Sequence, residues 1–225
     1  MYDKLLTERL GVQIEETYSW VDQAHRSASG VQQLELTLRY LVIQDMAHEF
    51  LMSVGLAQDI GSTGNARVGA PTQGGTTPWL YAAKGLGDLD VGYLKPFALV
   101  GVIGYSKADA DPRPDVLQSG IAIEYSIPYL QSKVAALDLP ELLRNATPIV
   151  EYFRSTPTTF THANAVSSTV APGFLFSGQG WEFGLEAQIP TTHATGTGVG
   201  VTAQFHLSLD FFFPETIGRP LFAAR

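Results

Sequence analysis

His206, Ser208 and Asp210 fall at i, i+2 and i+4 in the run GVTAQFHLSLD. These are the residue types of a base, a nucleophile and an orienting acid. On an extended strand, residues two apart are separated by roughly 6.5–7 Å, two rises of about 3.3 Å. That is too far for a hydroxyl to pass its proton directly to an imidazole. The three therefore read as part of a polar wall, with a lipid-acting enzyme as an alternative. The same reading extends to Glu35, Glu124, Glu182, Glu186 and Asp210, with Gln188, Gln204 and His206 beside them and Arg39 and Lys84 as candidate partners. On the inside of a barrel these side chains form one of two things. They line a pore that favours cations, or they form a network of ion pairs and hydrogen bonds that fills it.

Other groups carry less. Asp109, Asp111 and Asp115 share one loop, but two prolines interrupt them and the glycine and closing glutamate of a calcium loop are missing. His162 and His193 stand alone on separate loops. The glycines at 61–64 and 196–200 follow no strand-to-helix pattern that would cradle a phosphate, so they read as turns. No cofactor and no metal follow from these residues.

The elements that must position the polar wall are strands. From Trp181 to Ile189, Trp181, Phe183, Leu185, Ala187 and Ile189 share one face, and Glu182, Gly184, Glu186 and Gln188 the other. From Val199 to Phe211, Val199, Val201, Ala203, Phe205, Leu207, Leu209 and Phe211 alternate with Thr202, Gln204, His206, Ser208 and Asp210. Period-2 alternation is the strand signature. These runs exceed the usual five to six residues of a soluble strand and match the roughly 9–11 that a tilted strand needs to cross a bilayer. Charges on one face and aromatics on the other suit a lumen and a lipid surface.

Composition agrees. In 225 residues with a net charge of −8 and no cysteine, charged residues make up only 16%, against about 25% in an average soluble domain. No apolar run reaches the 18 or so residues of a membrane helix, so membrane passage requires strands in a closed barrel. The acidic balance argues against nucleic acid as a partner. The opening MYDKLLTERLGVQIEE has no basic-then-apolar leader. Two readings follow, a cytoplasmic protein or a chain whose leader is missing, with or without its first strands; beside a barrel pattern we expect the second.

The expected strands are Leu10–Trp20, Val31–Gln44, Glu49–Ile60, Thr77–Gly85, Lys95–Ser106, Val116–Pro128, Ala146–Thr156 and Ser168–Ser177, followed by the long hairpin. Tyr2–Arg9 reads as a turn, and Tyr129–Asn145 as a short amphipathic helix broken by Pro140. Glu16 interrupts an otherwise apolar face. Loops at 21–30, 61–76, 107–115 and 157–167 are long and polar and fall on one side, with a shorter one near 190–197. Turns at 45–48 and 178–180 and the helical insert fall on the other. Long loops outside and short turns inside is the outer-membrane pattern. The expectation is an all-β, single-domain, antiparallel up-and-down transmembrane barrel. It has about ten strands, or about twelve if an N-terminal hairpin is missing.

Segments KGLGD (84–88), LKPFA (94–98), YSIPYLQS (125–132), WEFGLEAQIP (181–190) and GVGVTAQFHLSLD (198–210) resemble outer-membrane barrel proteins of the "MetA-pathway of phenol degradation" family. The resemblance covers about Glu35 to Phe222. Its motifs are those of a barrel rather than of a site. It implies a Gram-negative outer-membrane location, lipid as surroundings, and uptake of small aromatic or hydrophobic molecules. Alternatives are a non-transporting envelope barrel and a soluble lipocalin-like binder. A soluble barrel would reverse the polarity of the two faces.

Overall fold

A computed structural model of the chain describes residues 1–23, 26–110, 114–159 and 165–222. Eleven strands form one antiparallel sheet in which each strand lies beside its neighbour in the chain, apart from an excursion after the second. They are β1 (Tyr2–Leu5), β2 (Leu10–Glu15), β5 (Leu34–Asp45), β6 (Phe50–Ile60), β7 (Gly75–Gly85), β8 (Phe97–Ala108), β9 (Val116–Tyr125), β10 (Ala146–Pro157), β11 (Ser167–Gly178), β12 (Trp181–Pro190) and β13 (Gly200–Leu207). The excursion is a separate hairpin of β3 (Tyr18–Gln23) and β4 (Arg26–Val31). The architecture is thus all-β, antiparallel and up-and-down. Among the described residues, β1 pairs only with β2 and β13 only with β12.

Five expectations are corrected. Tyr2–Leu5 is a strand rather than a turn, paired in register with Leu10–Glu15 through Tyr2–Ile14 and Leu5–Gly11. The expected strand Leu10–Trp20 breaks at Glu16 and Thr17, where the chain leaves the main sheet. The facing break lies at Gln32, whose N–H donates to the Thr17 carbonyl at 2.6 Å. Glu16 therefore belongs to a joint between two hairpins and not to an apolar strand face. The loop at 21–30 is largely the β3–β4 hairpin. The last strand stops at Leu207: the Ser208 N–H still bonds to the Gly180 carbonyl in the same register, and a helical turn, Leu209–Phe212, begins directly after it. The insert after β9 is helical only at Ile127–Tyr129, Leu130–Val134 and Glu141–Arg144.

β5 to β12 are 10 to 12 residues long. Their pairing defines two faces, because antiparallel partners point the same way. Leu38–Leu56, Tyr40–Val54, Leu80–Ile103, Leu99–Ile123, Phe174–Leu185 and Phe183–Phe205 run across one face. Exposed side chains dominate it. Aromatic pairs gather at its turn end: Phe97 with Tyr125, Phe176 with Phe183, and Trp181 with Phe205, with ring centroids 4.7 to 6.5 Å apart. Among the described residues, the buried apolar side chains are mostly alanines such as Ala57, Ala122, Ala146 and Ala171, with Val68 and Ile149 beside them. Among the described residues, no large apolar side chain is completely buried, Ile149 at 4% exposure coming nearest. This sheet does not stack its hydrophobic face on a core of its own.

Candidate functional site: the acidic face

The opposite face carries the polar residues. Alternation places Glu182 and Glu186 on β12 between Trp181, Phe183 and Leu185, which point the other way. Leu185 is 43% exposed, and its neighbour Glu186 only 9%. On β13, Thr202, Gln204 and His206 stand opposite Glu186, Gly184 and Glu182. Pairing through Gly173–Ile149 and Ile149–Glu124 carries the same face across β11 and β10 to β9. A cavity of about 150 Å³ results, lined by Glu124, Glu151, Glu182, Glu186, Gln204 and His206 among others.

Local contacts hold this wall in place. Gln188 Nε2 donates to Glu186 Oε2 at 3.3 Å, and the Ser177 hydroxyl to Glu182 Oε2 at 3.2 Å. Gly173 and Gly184 keep the floor open. A Cβ at Gly173 would meet the Leu185 carbonyl and the Glu186 stem, and one at Gly184 would press on Leu175. Among the described residues, no Lys or Arg lies within ion-pair distance of Glu124, Glu151, Glu182 or Glu186. Four carboxylates on one wall without a fixed cation leave a region of negative potential that attracts mobile cations.

A second polar group lies across β2, β5 and β6. Glu15, Glu35 and Asp59 are direct cross-strand neighbours. Glu35 accepts from the Thr37 hydroxyl at 2.8 Å, and Glu15 from Gln13 Nε2 at 3.0 Å. Arg39 Nη2 donates to Gln13 Oε1 at 2.7 Å, and the guanidinium sits 5.0 Å from the centre of the Tyr81 ring. Tyr81 and Trp79 stack beside it, 6.0 Å apart, on the polar face of β7. Trp79 lies over Gly104 of β8, where any Cβ would strike the indole. Glycine is required there because the ring occupies the space.

The sequence-selected residues thus divide. Glu124, Glu182, Glu186, Gln204 and His206 meet at one cavity, with Gln188 tied to Glu186. Glu35 and Arg39 belong to the second group. Lys84 lies on the parity of Leu80 and Ala82, at the turn end of β7. Its ammonium donates to the carbonyls of His48 and Gly85 and to Asp88, at 2.5 to 2.6 Å. Asp210 has left the sheet with the helical turn. No hydrogen bond joins His206, Ser208 and Asp210. Glu151 was missed because Pro148, Ile149 and Val150 place apolar residues on both faces of β10. Its only sequence signal is the parity it shares with Ile149 and Phe153.

Asp115 accepts from the Ala108 N–H at 3.0 Å and the Tyr105 hydroxyl at 3.3 Å, as a loop brace. His193 opens a single 3-10 turn. Asp111 and His162 lie outside the described residues. Among the described residues, no three His or acidic groups are placed to hold a metal ion. Among the described residues no helix is long and apolar enough to cross a membrane, which says nothing about strands. No family model matches the chain, and no curated protein matches it.

Proposed function

We propose that the chain is an outer-membrane β-barrel through which small molecules pass, its apolar face in lipid and its acidic face towards a lumen. The observation that carries this reading is the polarity of β12: Glu186 is buried while Leu185 beside it is exposed. Water as the outer solvent would favour the opposite arrangement, since burying a carboxylate without a cation is costly and an exposed leucine gains nothing. Lipid outside and a polar interior favour the observed one. Strands of 10 to 12 residues fit the hydrocarbon thickness, and the aromatic pairs at the turn end fit a membrane interface. The unpaired carboxylates support a preference for cationic or polar solutes. The resemblance described above supports small aromatic or hydrophobic ones. Conductance across planar bilayers tests the reading: discrete cation-selective steps support it, and a sealed bilayer under stable insertion defeats it.

A specific observation favours a second reading. Trp79, Tyr81, Arg39 and Gln13 fill the polar face across β2 to β8, and the cavity on the other side holds only a handful of waters. Such filling suits a barrel with a structural role in the envelope. It inserts without conducting.

A further inference from the structure

The ladder between β11 and β12 is interrupted at mid-strand. Pairing runs through Thr169–Pro190 and Val170–Ile189 and resumes at Gly173–Glu186 in the same register. Pro172, the sixth of the 12 residues of β11, lies in this gap and has no N–H to give to the facing strand. On the other side of β11 the pairing is continuous, through Glu151–Ala171 and Val150–Pro172. Each face of the sheet has a cavity at this place. The acidic cavity lies on one face. On the other, an apolar groove of about 470 Å³ is lined by Pro172 with Pro148, Val150, Phe174, Leu185 and Ala187 among others. Ile149 and Glu186 line both. The two spaces are thus one sheet thickness apart, where the ladder between β11 and β12 is missing.

A second proline gap is covered. Pairing between β7 and β8 passes from Thr76–Lys107 to Trp79–Gly104 around Pro78, and there the Trp79 indole lies over Gly104. The residue after Pro172 is glycine, and the Glu186 stem lies over it. The Gln188–Glu186 hydrogen bond, 3.3 Å long, spans the break. Both side chains are long and can swing aside by changing rotamer. Resting on the membrane reading above, we infer that the gap at Pro172 is a lateral opening in the barrel wall, through which a small uncharged apolar solute leaves the lumen for the lipid. In hydrocarbon no water replaces a missing ladder partner, so pairing is weakest here, near the middle of the strand. The groove outside receives the solute on apolar side chains. A charged solute stays behind, because leaving an acidic lumen for hydrocarbon strips its hydration. An acidic wall and an apolar cargo are then compatible, since the cargo leaves sideways.

The chain has no cysteine, so single introduced thiols report without background. The reagent is a phospholipid with a maleimide at the end of one acyl chain, which stays in the bilayer of lipid vesicles. Glu151→Cys stands on the polar face of β10, directly opposite Ala171 at the gap. Ser53→Cys stands on the same face of β6, opposite Tyr81. The reagent is expected to label Glu151→Cys several-fold faster than Ser53→Cys. Pro172→Val supplies the missing N–H and is expected to bring the Glu151→Cys rate down to that of Ser53→Cys. Pro78→Val, at the covered gap, is expected to leave it unchanged. An excess of N-phenyl-1-naphthylamine, uncharged and apolar, is expected to slow the labelling by competing for the opening. Three results overturn the inference: equal labelling at 151 and 53, a Glu151→Cys rate that Pro172→Val lowers no more than Pro78→Val does, or no competition by the naphthylamine, which leaves the groove to lipid chains alone. Failure of the membrane reading registers separately. Ile121→Cys, exposed on the apolar face of β9, is then labelled freely by a water-soluble maleimide.

Discussion

Leu185 and Glu186 are neighbours on β12, and the leucine is the more exposed of the two. The membrane placement proposed above accounts for the pair. An exposed leucine in lipid loses nothing, and a carboxylate turned away from lipid avoids a desolvation of several kcal/mol. Leu185 also stands opposite Ala203, and Glu186 opposite Thr202, so the two faces continue in register onto β13.

Charge tolerance should follow the faces. Leu185→Arg is expected to cost about 2–4 kcal/mol, as for a cation at the lipid-facing midplane of a barrel strand. Thr202→Arg places the same group opposite Glu186 and is expected to be nearly neutral or stabilising. Urea titration of both variants in lipid vesicles compares them, and the reverse order contradicts the face assignment.

The carboxylates should set ion preference. Glu182→Gln with Glu186→Gln removes two charges from the cavity wall and retains size and hydrogen bonding. Cation-over-anion preference in planar bilayers is expected to fall. The difference should shrink near 1 M salt, where the screening length is about 3 Å. Unchanged selectivity in a conducting protein removes these residues from the pore.

Gly104 should tolerate nothing larger. A Cβ there strikes the Trp79 indole, so Gly104→Val is expected to displace the ring and cost about 1–3 kcal/mol by overpacking. Tryptophan emission should shift along with the urea midpoint. A variant with native emission and midpoint shows that Trp79 does not rest on β8.

Acid should loosen the turn end. Lys84 bonded to Asp88 holds that carboxyl below its ordinary value of 3.8. A depressed carboxyl contributes stability that is present above its unfolded-state pKa and disappears as pH falls through the lower folded value. Proteolysis of the 86–96 segment is therefore expected to accelerate below about pH 4 in the wild type. In Asp88→Asn the fast rate should appear at all pH values. An Asn variant with the same acid transition places the transition elsewhere.

The long strands were legible because alternation in β12 and β13 is unbroken from Trp181 to Leu207 apart from the loop. β1 was not, because YDKL is too short to display a period and is held by pairing with Val12 and Ile14. The end of β13 was hidden because LSLDFFF continues the alternation while the chain turns into a helical turn at Leu209–Phe212. The acidic wall was legible in part. Glu182 and Glu186 followed from parity, whereas the place of Glu151 depended on register with Ala122 and Ala171. Lys84 looked like a lumen partner, but it stands at the turn end of β7 and its three donors are occupied there.

The most direct measurement is nitroxide accessibility along residues 181–188 in protein inserted into lipid vesicles, with one label per variant. Collision with oxygen dissolved in the bilayer should peak at 183, 185 and 187. Collision with a water-soluble nickel complex should peak at 182, 184 and 186, giving a period of two with Leu185 on the lipid side. Uniform access to the aqueous reagent, or the same period in opposite phase, contradicts the membrane account of this sheet.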